Sequence, residues 1–268
     1  MHRPVRFLLF LFLALSIQNA HIHAIIFESK NLSDINKHID KDTLMVFDID
    51  DTIAQLPKGL CQWLDFRAKE LQKKGFDIAE AYDLALPMFF TIANCNPLVP
   101  LCDSPKLIKQ LQDKNIKTIG LTNRSFPIIE RTISQLEDID ISFANNSLCK
   151  KDMNLSIEYK SKYSHGIVFV AQNDKGQMLF LFLEKIKHTP KKIVFIDDSL
   201  KHVKAVEREA KKHGIEFIGI HFTYKQDHLS SPEVITQAMR EFRIRLGLDP
   251  IEHSTIACTK TEPQAAQA

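Results

Sequence analysis

A doubly wound α/β sheet, mostly parallel, with a small helical cap inserted after its first strand is the fold class predicted by this 268-residue sequence. Short apolar runs rich in β-branched residues recur at 44–47, 116–121, 193–196 and 215–220, each bounded by polar turns. Such runs suit the inner strands of a parallel sheet, which are buried on both faces. Helical patterns separate them, and strands alternating with helices predict a doubly wound sheet. The first two runs lie about seventy residues apart, far more than a βα crossover needs, so the excess forms an inserted subdomain.

In chain order, His2, Arg3 and Arg6 precede an apolar run at 7–17, and the small residues Ala20 and Ala24 follow. That is the order of a secretory signal peptide, 1–24, with cleavage expected after Ala24 and a competing site after Ala20. The apolar run is shorter than the roughly 17–25 residues of a spanning helix, so no stable membrane span is expected after cleavage. The protein is expected to be exported, to the periplasm or the medium. Residues 25–43 read as an N-terminal extension, 44–60 and 102–228 as the core, 61–101 as the cap, and 229–268 as a C-terminal helix with a mobile tail.

Within the cap, Leu60, Trp63, Leu64, Ala68 and Leu71 share one helix face that ends near Gly75. A second helix is expected from Asp77 towards Pro87, and 88–102 as a packed return loop. In the core, Ser104 is the expected N-cap of a helix with Pro105 at its first position and Leu107, Ile108 and Leu111 inward. Residues 127–136 place Ile128, Ile129, Ile133 and Leu136 on one helix face. A strand is expected at 167–171, with the rest of 141–172 hairpin or loop. Ser199 caps a helix that turns Val203, Val206 and Ala210 inward and stops at Gly214. The last helix starts at Ser231-Pro232-Glu233 and is expected to bury Val234, Ile235, Ala238, Met239 and Phe242.

Composition excludes several functions. The chain is 44% hydrophobic and 25% charged, with 35 basic and 33 acidic residues; loss of Arg3 and Arg6 with the signal leaves the two signs equal. A neutral chain without an arginine stripe gives no support for nucleic-acid binding. The cysteines Cys61, Cys95, Cys102, Cys149 and Cys258 are odd in number, so at least one thiol is left over, and none has zinc-like spacing. Cys95 and Cys102 flank a short loop holding Pro97 and Pro100 and are expected to pair. No histidine has a metal-binding carboxylate partner at helical spacing; His202 and His221 read as surface or strand-end residues.

The chemistry lies at strand ends. The first strand ends in FDIDDT at 47–52, and alternation sends Asp48 and Asp50 to one side and Asp51 to the other. The third core strand ends in IDDS at 196–199, bringing Asp197 and Asp198 to the same rim, where open α/β sheets bind ligands. Converging carboxylates repel unless a cation sits among them, and an oxygen-only donor set suits Mg²⁺. The second strand supplies LTNR, with Thr122 and Asn123 as hydrogen-bond donors. Lys175, in NDKG at 173–176, starts the helix leading to Asp197 and brings a positive charge. Lys185 is too close to Asp197 for a helix and a strand to fit between them.

Together these residues resemble the haloacid dehalogenase superfamily, whose motifs are D-x-D-x-T, a Thr or Ser after a second strand, a Lys beginning a helix, and an acidic pair. All four occur in order here, over about residues 44–225: Asp48-Ile49-Asp50-Asp51-Thr52, Thr122, Lys175 and Asp197-Asp198. FDIDDT also looks like the first motif of exported bacterial acid phosphatases, while the Asp pair departs from their fourth motif. The resemblance implies a Rossmann-like core and a phosphomonoesterase acting on a small phosphorylated substrate. It implies Asp48 as nucleophile and Asp50 as acid and base, with Thr122 and Lys175 on the phosphoryl oxygens and Thr52 and Asn123 beside the substrate. The resemblance implies Mg²⁺ held by Asp48, the backbone carbonyl of Asp50 and Asp198, with Asp197 nearby or acting through water, the direct contact falling to either Asp198 or Asp197. A catalytically silent binding or host-interaction module, and phosphoryl transfer to an acceptor other than water, are the alternatives.

Overall fold

The computed structural model describes residues 23–224 and 231–245. The chain runs through β1 (Ala24–Ser29), β2 (Thr43–Phe47), β3 (Ala54–Gln55), α1 (Trp63–Lys73), α2 (Ile78–Cys95), β4 (Val99–Pro100), α3 (Ser104–Asp113) and β5 (Lys117–Thr122). It continues through α4 (Ile129–Glu137), β6 (Met153–Ser156), β7 (Lys160–Ser164), β8 (Ile167–Phe169), α5 (Lys175–Lys185), β9 (Lys192–Asp197), α6 (Leu200–Lys212), β10 (Glu216–Phe222) and α7 (Pro232–Arg245).

The main sheet has the order β1-β10-β9-β2-β5-β8-β7-β6, parallel from β1 to β8 and antiparallel through the last two strands. From β2 the chain moves outward to β5 and β8, returns through α5, and continues on the other side of β2 with β9 and β10. The direction reverses between β2 and β9, and such a switch point leaves a crevice at the carboxyl ends of the strands. Phe47 lies opposite Ile196, so the next residue of each strand, Asp48 and Asp197, emerges at the same level.

Strand alternation divides the core into two layers. Leu44, Val46, Ile119, Leu121, Ile193 and Phe195 pack with residues of α5 and α6. Met45, Phe47, Val194 and Ile196 lie in the layer formed with α3, α4, α7 and the cap helices. The four expected core strands are present, with ends shifted by one or two residues.

β1 falls in the stretch read as an extension. It pairs with β10 from Ala24 opposite Phe217 to Ser29 opposite Phe222, and the His23 carbonyl accepts the Phe217 N–H at 2.9 Å. A signal cut after Ala24 would remove the first residue of this strand, whereas a cut after Ala20 would leave it whole. The expected signal segment up to residue 22 and the expected tail from 246 lie outside the described residues.

The cap corrects the expected end of its second helix. A capping box starts α2, with the Asp77 carboxylate accepting from Glu80 N–H (2.9 Å) and the Glu80 carboxylate from Asp77 N–H (3.1 Å). The helix then passes through Pro87 to Cys95 instead of giving way to a loop. Ile92 and Ala93 are buried beyond the proline, so burial of the continuing apolar face outweighs the missing hydrogen bond. The ladder of β3 with β4 ties the entry of the cap to its exit.

Three smaller expectations are also corrected. The N-cap of α3 is Asp103; Ser104 occupies the next position and donates to the Ile53 carbonyl at 2.6 Å. Val234 is 47% exposed, while Ile235, Ala238, Met239 and Phe242 are buried. Cys95 and Cys102 are both exposed and free, because the residues between them extend, with Val99 and Pro100 pairing to β3 and Leu98 and Leu101 buried.

The approach of α5 to α6 depends on Gly176, where a Cβ atom would lie 2.2 Å from the Ala205 carbonyl oxygen and 2.6 Å from its carbon. Gly176→Ala must therefore push two backbones apart. Denaturant unfolding is expected to show a loss of about 1–3 kcal/mol or more, and an unchanged midpoint would contradict this packing.

Candidate active site

The centre of the crevice is a buried ammonium group between two carboxylates. Lys175 is the first residue of α5, whose N-cap, Asp174, accepts from the Gln177 N–H at 3.0 Å. Lys175 Nζ reaches Asp48 Oδ1 at 2.5 Å and Asp197 Oδ2 at 2.7 Å. Asp48 follows the end of β2, and its N–H donates to the Ile196 carbonyl (3.0 Å). All three side chains are buried.

Their charges do not balance. Burial pushes the Asp48 carboxyl up to about 7, against the pull of Lys175 and with the repulsion of Asp197. Burial also works against ionisation of Asp197, but Lys175 and His202 outweigh it and hold that carboxyl below its usual value. The Lys175 ammonium is held above its ordinary value because Asp197 and Asp48 overcome the cost of its burial.

Asp198 completes an acidic group: oxygens of Asp48, Asp197 and Asp198 all lie within 4.8 Å of one another. Thr52 joins two of them, donating to Asp48 Oδ2 at 2.9 Å and accepting the Asp198 N–H at 3.1 Å. Two carboxylates sharing one ammonium, with a third alongside, form a hard oxygen donor set with uncompensated negative charge. That set fits Mg²⁺.

Asp50 has a different environment. Its carboxylate forms a two-point pair with Arg124, Nε to Oδ2 at 2.9 Å and Nη2 to Oδ1 at 2.8 Å. Arg124 is buried, which disfavours its charge, but Asp50 more than compensates and holds it above its ordinary value. Arg124 Nη1 also donates to Thr132 Oγ1 (3.0 Å) and Gln135 Oε1 (2.8 Å). The Gln135 amide in turn donates to the carbonyls of Ala93 and Asn96 at 2.7 and 2.5 Å, where the cap rejoins the core.

Residues 48–53 form a turn beyond β2, with the N–H groups of Thr52, Ile53 and Ala54 converging on the Ile49 carbonyl. Strand alternation therefore does not separate Asp50 from Asp51. Asp51 adopts a left-handed φ of 60° and lines the same cleft as Asp50.

Thr122 ends β5, and its hydroxyl accepts the Arg124 N–H at 3.2 Å, leaving its own proton to donate. Asn123 Nδ2 lies 3.2 Å from His202 Nε2, and His202 Nδ1 lies 3.2 Å from Asp197 Oδ1. His221 Nε2 is 3.2 Å from the Asp198 carbonyl, and its Nδ1 is 3.3 Å from Glu28 Oε1. Sequence reasoning missed Arg124, Gln135 and both histidines. Arg124 stands next to Asn123 in LTNR, and His202 falls in the first turns of the helix after Asp197, which were the available signals; Gln135 had none.

Two cavities adjoin at this rim. One of about 390 Å³ contains Lys175, Asn123 and His202; the other, of about 720 Å³, contains Asp50 and Arg124 and opens beneath the cap. A larger cleft of about 830 Å³ lies between α3 and residues 137–146, among surface lysines and amides and away from the carboxylates.

The charge balance predicts how metal-free stability varies with pH. With Asp48 raised from 3.8 to about 7, the folded chain keeps a proton that the unfolded chain has already released. Stability therefore falls as pH rises across that window. Asp48→Asn removes the titration and leaves Lys175 balanced by Asp197. In chelator, the thermal midpoint of the variant is expected to gain on the parent between about pH 5 and about pH 8, and added Mg²⁺ to shrink the difference. An equal offset at both pH values would contradict this.

The chain is 28% identical over 191 residues to a Chlamydia pneumoniae protein named "Putative outer membrane protein", covering 70% of this chain and 71% of that one. It is 25% identical over 228 residues to a protein of the same description from Chlamydia trachomatis serovar D, covering 83% and 85%. Among solved structures, a HAD-superfamily hydrolase from Ehrlichia chaffeensis superposes with a TM-score of 0.40 at 12% identity, over 76% of this chain and 96% of that one. A structure described as a dehalogenase gives 0.41 at 12% identity, over 70% and 91%. A family model described as "Protein of unknown function (DUF2608)" matches residues 28–246, from β1 through α7, and the chain belongs to that family.

Proposed function

We propose that this protein is an exported, Mg²⁺-dependent phosphomonoester hydrolase that works through an aspartyl-phosphate. The observation that carries the reading is the Lys175 ammonium held between Asp48 and Asp197 at the switch point, at 2.5 and 2.7 Å. A lysine buried against a carboxylate that lacks full charge compensation suits a site that receives a phosphoryl group and a cation together.

Asp48 attacks phosphorus as the bond to the ester oxygen breaks; for Asp50 to protonate the departing oxygen it must first take up a proton, giving up one of its two contacts with Arg124, and it then passes that proton to the ester oxygen. Asp50 then accepts a proton from the water that attacks the aspartyl-phosphate, releasing inorganic phosphate and restoring Asp48. On this reading Lys175 and the Thr122 hydroxyl supply donors to the equatorial oxygens. Thr52 orients the second oxygen of Asp48. Arg124 holds the Asp50 carboxylate in one orientation through its two-point contact. Mg²⁺, held by Asp48, Asp198, the Asp50 carbonyl and Asp197 directly or through water, would supply charge neutralisation during phosphoryl transfer.

Export is supported by the basic start and apolar run of the first segment and by the names of the chlamydial relatives. Among the described residues no helix is long and apolar enough to cross a membrane.

Hydrolysis of an aryl phosphate with and without Mg²⁺ tests the activity. Asp48→Asn is expected to abolish turnover, and Asp50→Asn to lose on the order of 10²-fold or more while still binding substrate. Asp51→Asn is expected to cost far less, because asparagine tolerates the left-handed backbone there. Full activity in Asp48→Asn, or in excess chelator, would end the reading. Export is tested by intact mass of the cellular protein: cleavage after Ala20 is expected, since it leaves β1 intact, and a mass starting at Met1 would refute export.

A further inference from the structure

The two adjoining cavities divide along chemical lines. The smaller is lined mainly by polar side chains, among them Lys175, Asn123, His202 and Gln177, with Ile157 and two alanines and no aromatic ring besides the His202 imidazole. The larger, about 720 Å³, is lined by Asp50 and Arg124 and by the rings of Tyr82, Phe89, Phe90, Phe126 and Tyr159. Asn123, Ala171 and Gln172 line both, so the cavities share a wall. On the phosphatase reading, a phosphoryl group beside Lys175 directs its ester oxygen towards Asp50 and the rest of the molecule into the larger cleft.

That cleft has the volume of a drug-sized ligand, and a three-carbon or sugar phosphate would leave most of its aromatic lining wet. We propose that it takes a phosphomonoester whose leaving group carries an aromatic ring system, of nucleoside or naphthyl size. Phe126 and Tyr159 are 46% and 44% exposed, large apolar faces left uncovered at the cleft. Their backbones are nevertheless fixed. The buried side chain of Asn173 accepts the N–H groups of Glu158 and Tyr159 at 3.0 and 3.1 Å and donates to the Tyr159 carbonyl at 2.8 Å. Phe126 opens a tight turn closed by the Ile128 N–H on the Ser125 carbonyl at 3.1 Å. Tyr82 is pinned by its hydroxyl on Asp65 Oδ1 at 2.8 Å.

A ring anchored by its hydroxyl, with two more carried on fixed backbone, suits a planar partner. The rings gain offset or edge-to-face contacts with it, and the ligand gives up fewer rotamers on binding than a flexible chain would. Lys160 and Asp83, also in the lining, can meet polar substituents on such a ring system.

Four primary-alcohol phosphates of similar intrinsic reactivity provide the test: 2-naphthylmethyl phosphate, adenosine 5′-monophosphate, decyl phosphate and glycerol 3-phosphate. In the mature chain with Mg²⁺, kcat/KM is expected to favour at least one ring-bearing ester over both others by about tenfold or more, mainly through KM. Which ring-bearing ester leads distinguishes a nucleoside from a simple aryl group. Phe126→Ala and Tyr159→Ala, both surface changes, are expected to reduce that ratio several-fold. Preference for decyl phosphate, equal rates for all four esters, or a ratio that neither substitution moves would overturn the inference. Calorimetric titration of Asp48→Asn with the same esters reads the cleft without turnover. If no ester is hydrolysed yet ring-bearing esters bind more tightly, the phosphatase reading fails and the cleft assignment stands; equal affinities overturn the cleft assignment.

Discussion

The ammonium group of Lys175, buried between Asp48 and Asp197, is the contact on which the architecture of the crevice rests. Asp48 and Asp197 arrive from the carboxyl ends of neighbouring parallel strands and would repel each other in a site shielded from water. One cation between them makes the arrangement foldable, and it comes from a helix that must cross the sheet to deliver it. This explains the close approach of α5 to α6 at Gly176, where even a methyl group would meet backbone. Removing one member of such a buried group leaves an uncompensated charge, costly out of proportion to the net worth of the pair. The compensation is incomplete by one negative charge at the Lys175 pair, which is why burial lifts the Asp48 carboxyl and why a hard divalent cation fits beside Asp198.

A second polar network connects this crevice with the cap. Arg124 grips Asp50 with two nitrogens and uses the third to contact Thr132 and Gln135. Gln135 holds the carbonyls of Ala93 and Asn96 at the end of α2, and Arg131 from the same helix, α4, reaches the carbonyls of Asn94 and Asn96. The carbonyls at a helix C-terminus lack intrahelical partners, and here side chains of the core supply them. The orientation of the Asp50 carboxylate and the seating of the cap are thereby linked through one α4 residue, Gln135. The cap contributes the rings of Tyr82, Phe89 and Phe90 to the cleft that Asp50 also lines, so one set of buried hydrogen bonds supports both the Asp50 carboxylate and the wall of the larger cavity.

Local pattern was enough where one physical requirement dominated. The runs that became β2, β5, β9 and β10 are buried on both faces, and their apolar, β-branched character follows from that alone. The gap between the first two runs revealed the cap because parallel crossovers are short. Lys175, Asp48, Asp197 and Asp198 could be singled out because a lysine at a helix start and carboxylates at strand ends sit at a rim defined by topology. Where propensity and burial disagreed, local reading failed: Pro87 suggested an ending, yet the apolar face continued to Ile92 and Ala93 and the helix continued with it.

What the sequence determined by itself was the strand-helix alternation, the inserted cap and the group of acidic and basic residues at the strand ends, since each depends on neighbours a few residues away or on spacing along the chain. Only the tertiary structure decided that β1 pairs with β10, that Asp50 turns to Arg124, and that His202 and His221 stand beside Asp197 and Asp198. Glu28 meets His221 across 193 residues of chain, and Asp50 meets Arg124 across 74. Contacts of that reach leave no periodic trace in the sequence, because they are set by which strands become neighbours and by which turn carries each side chain into the crevice.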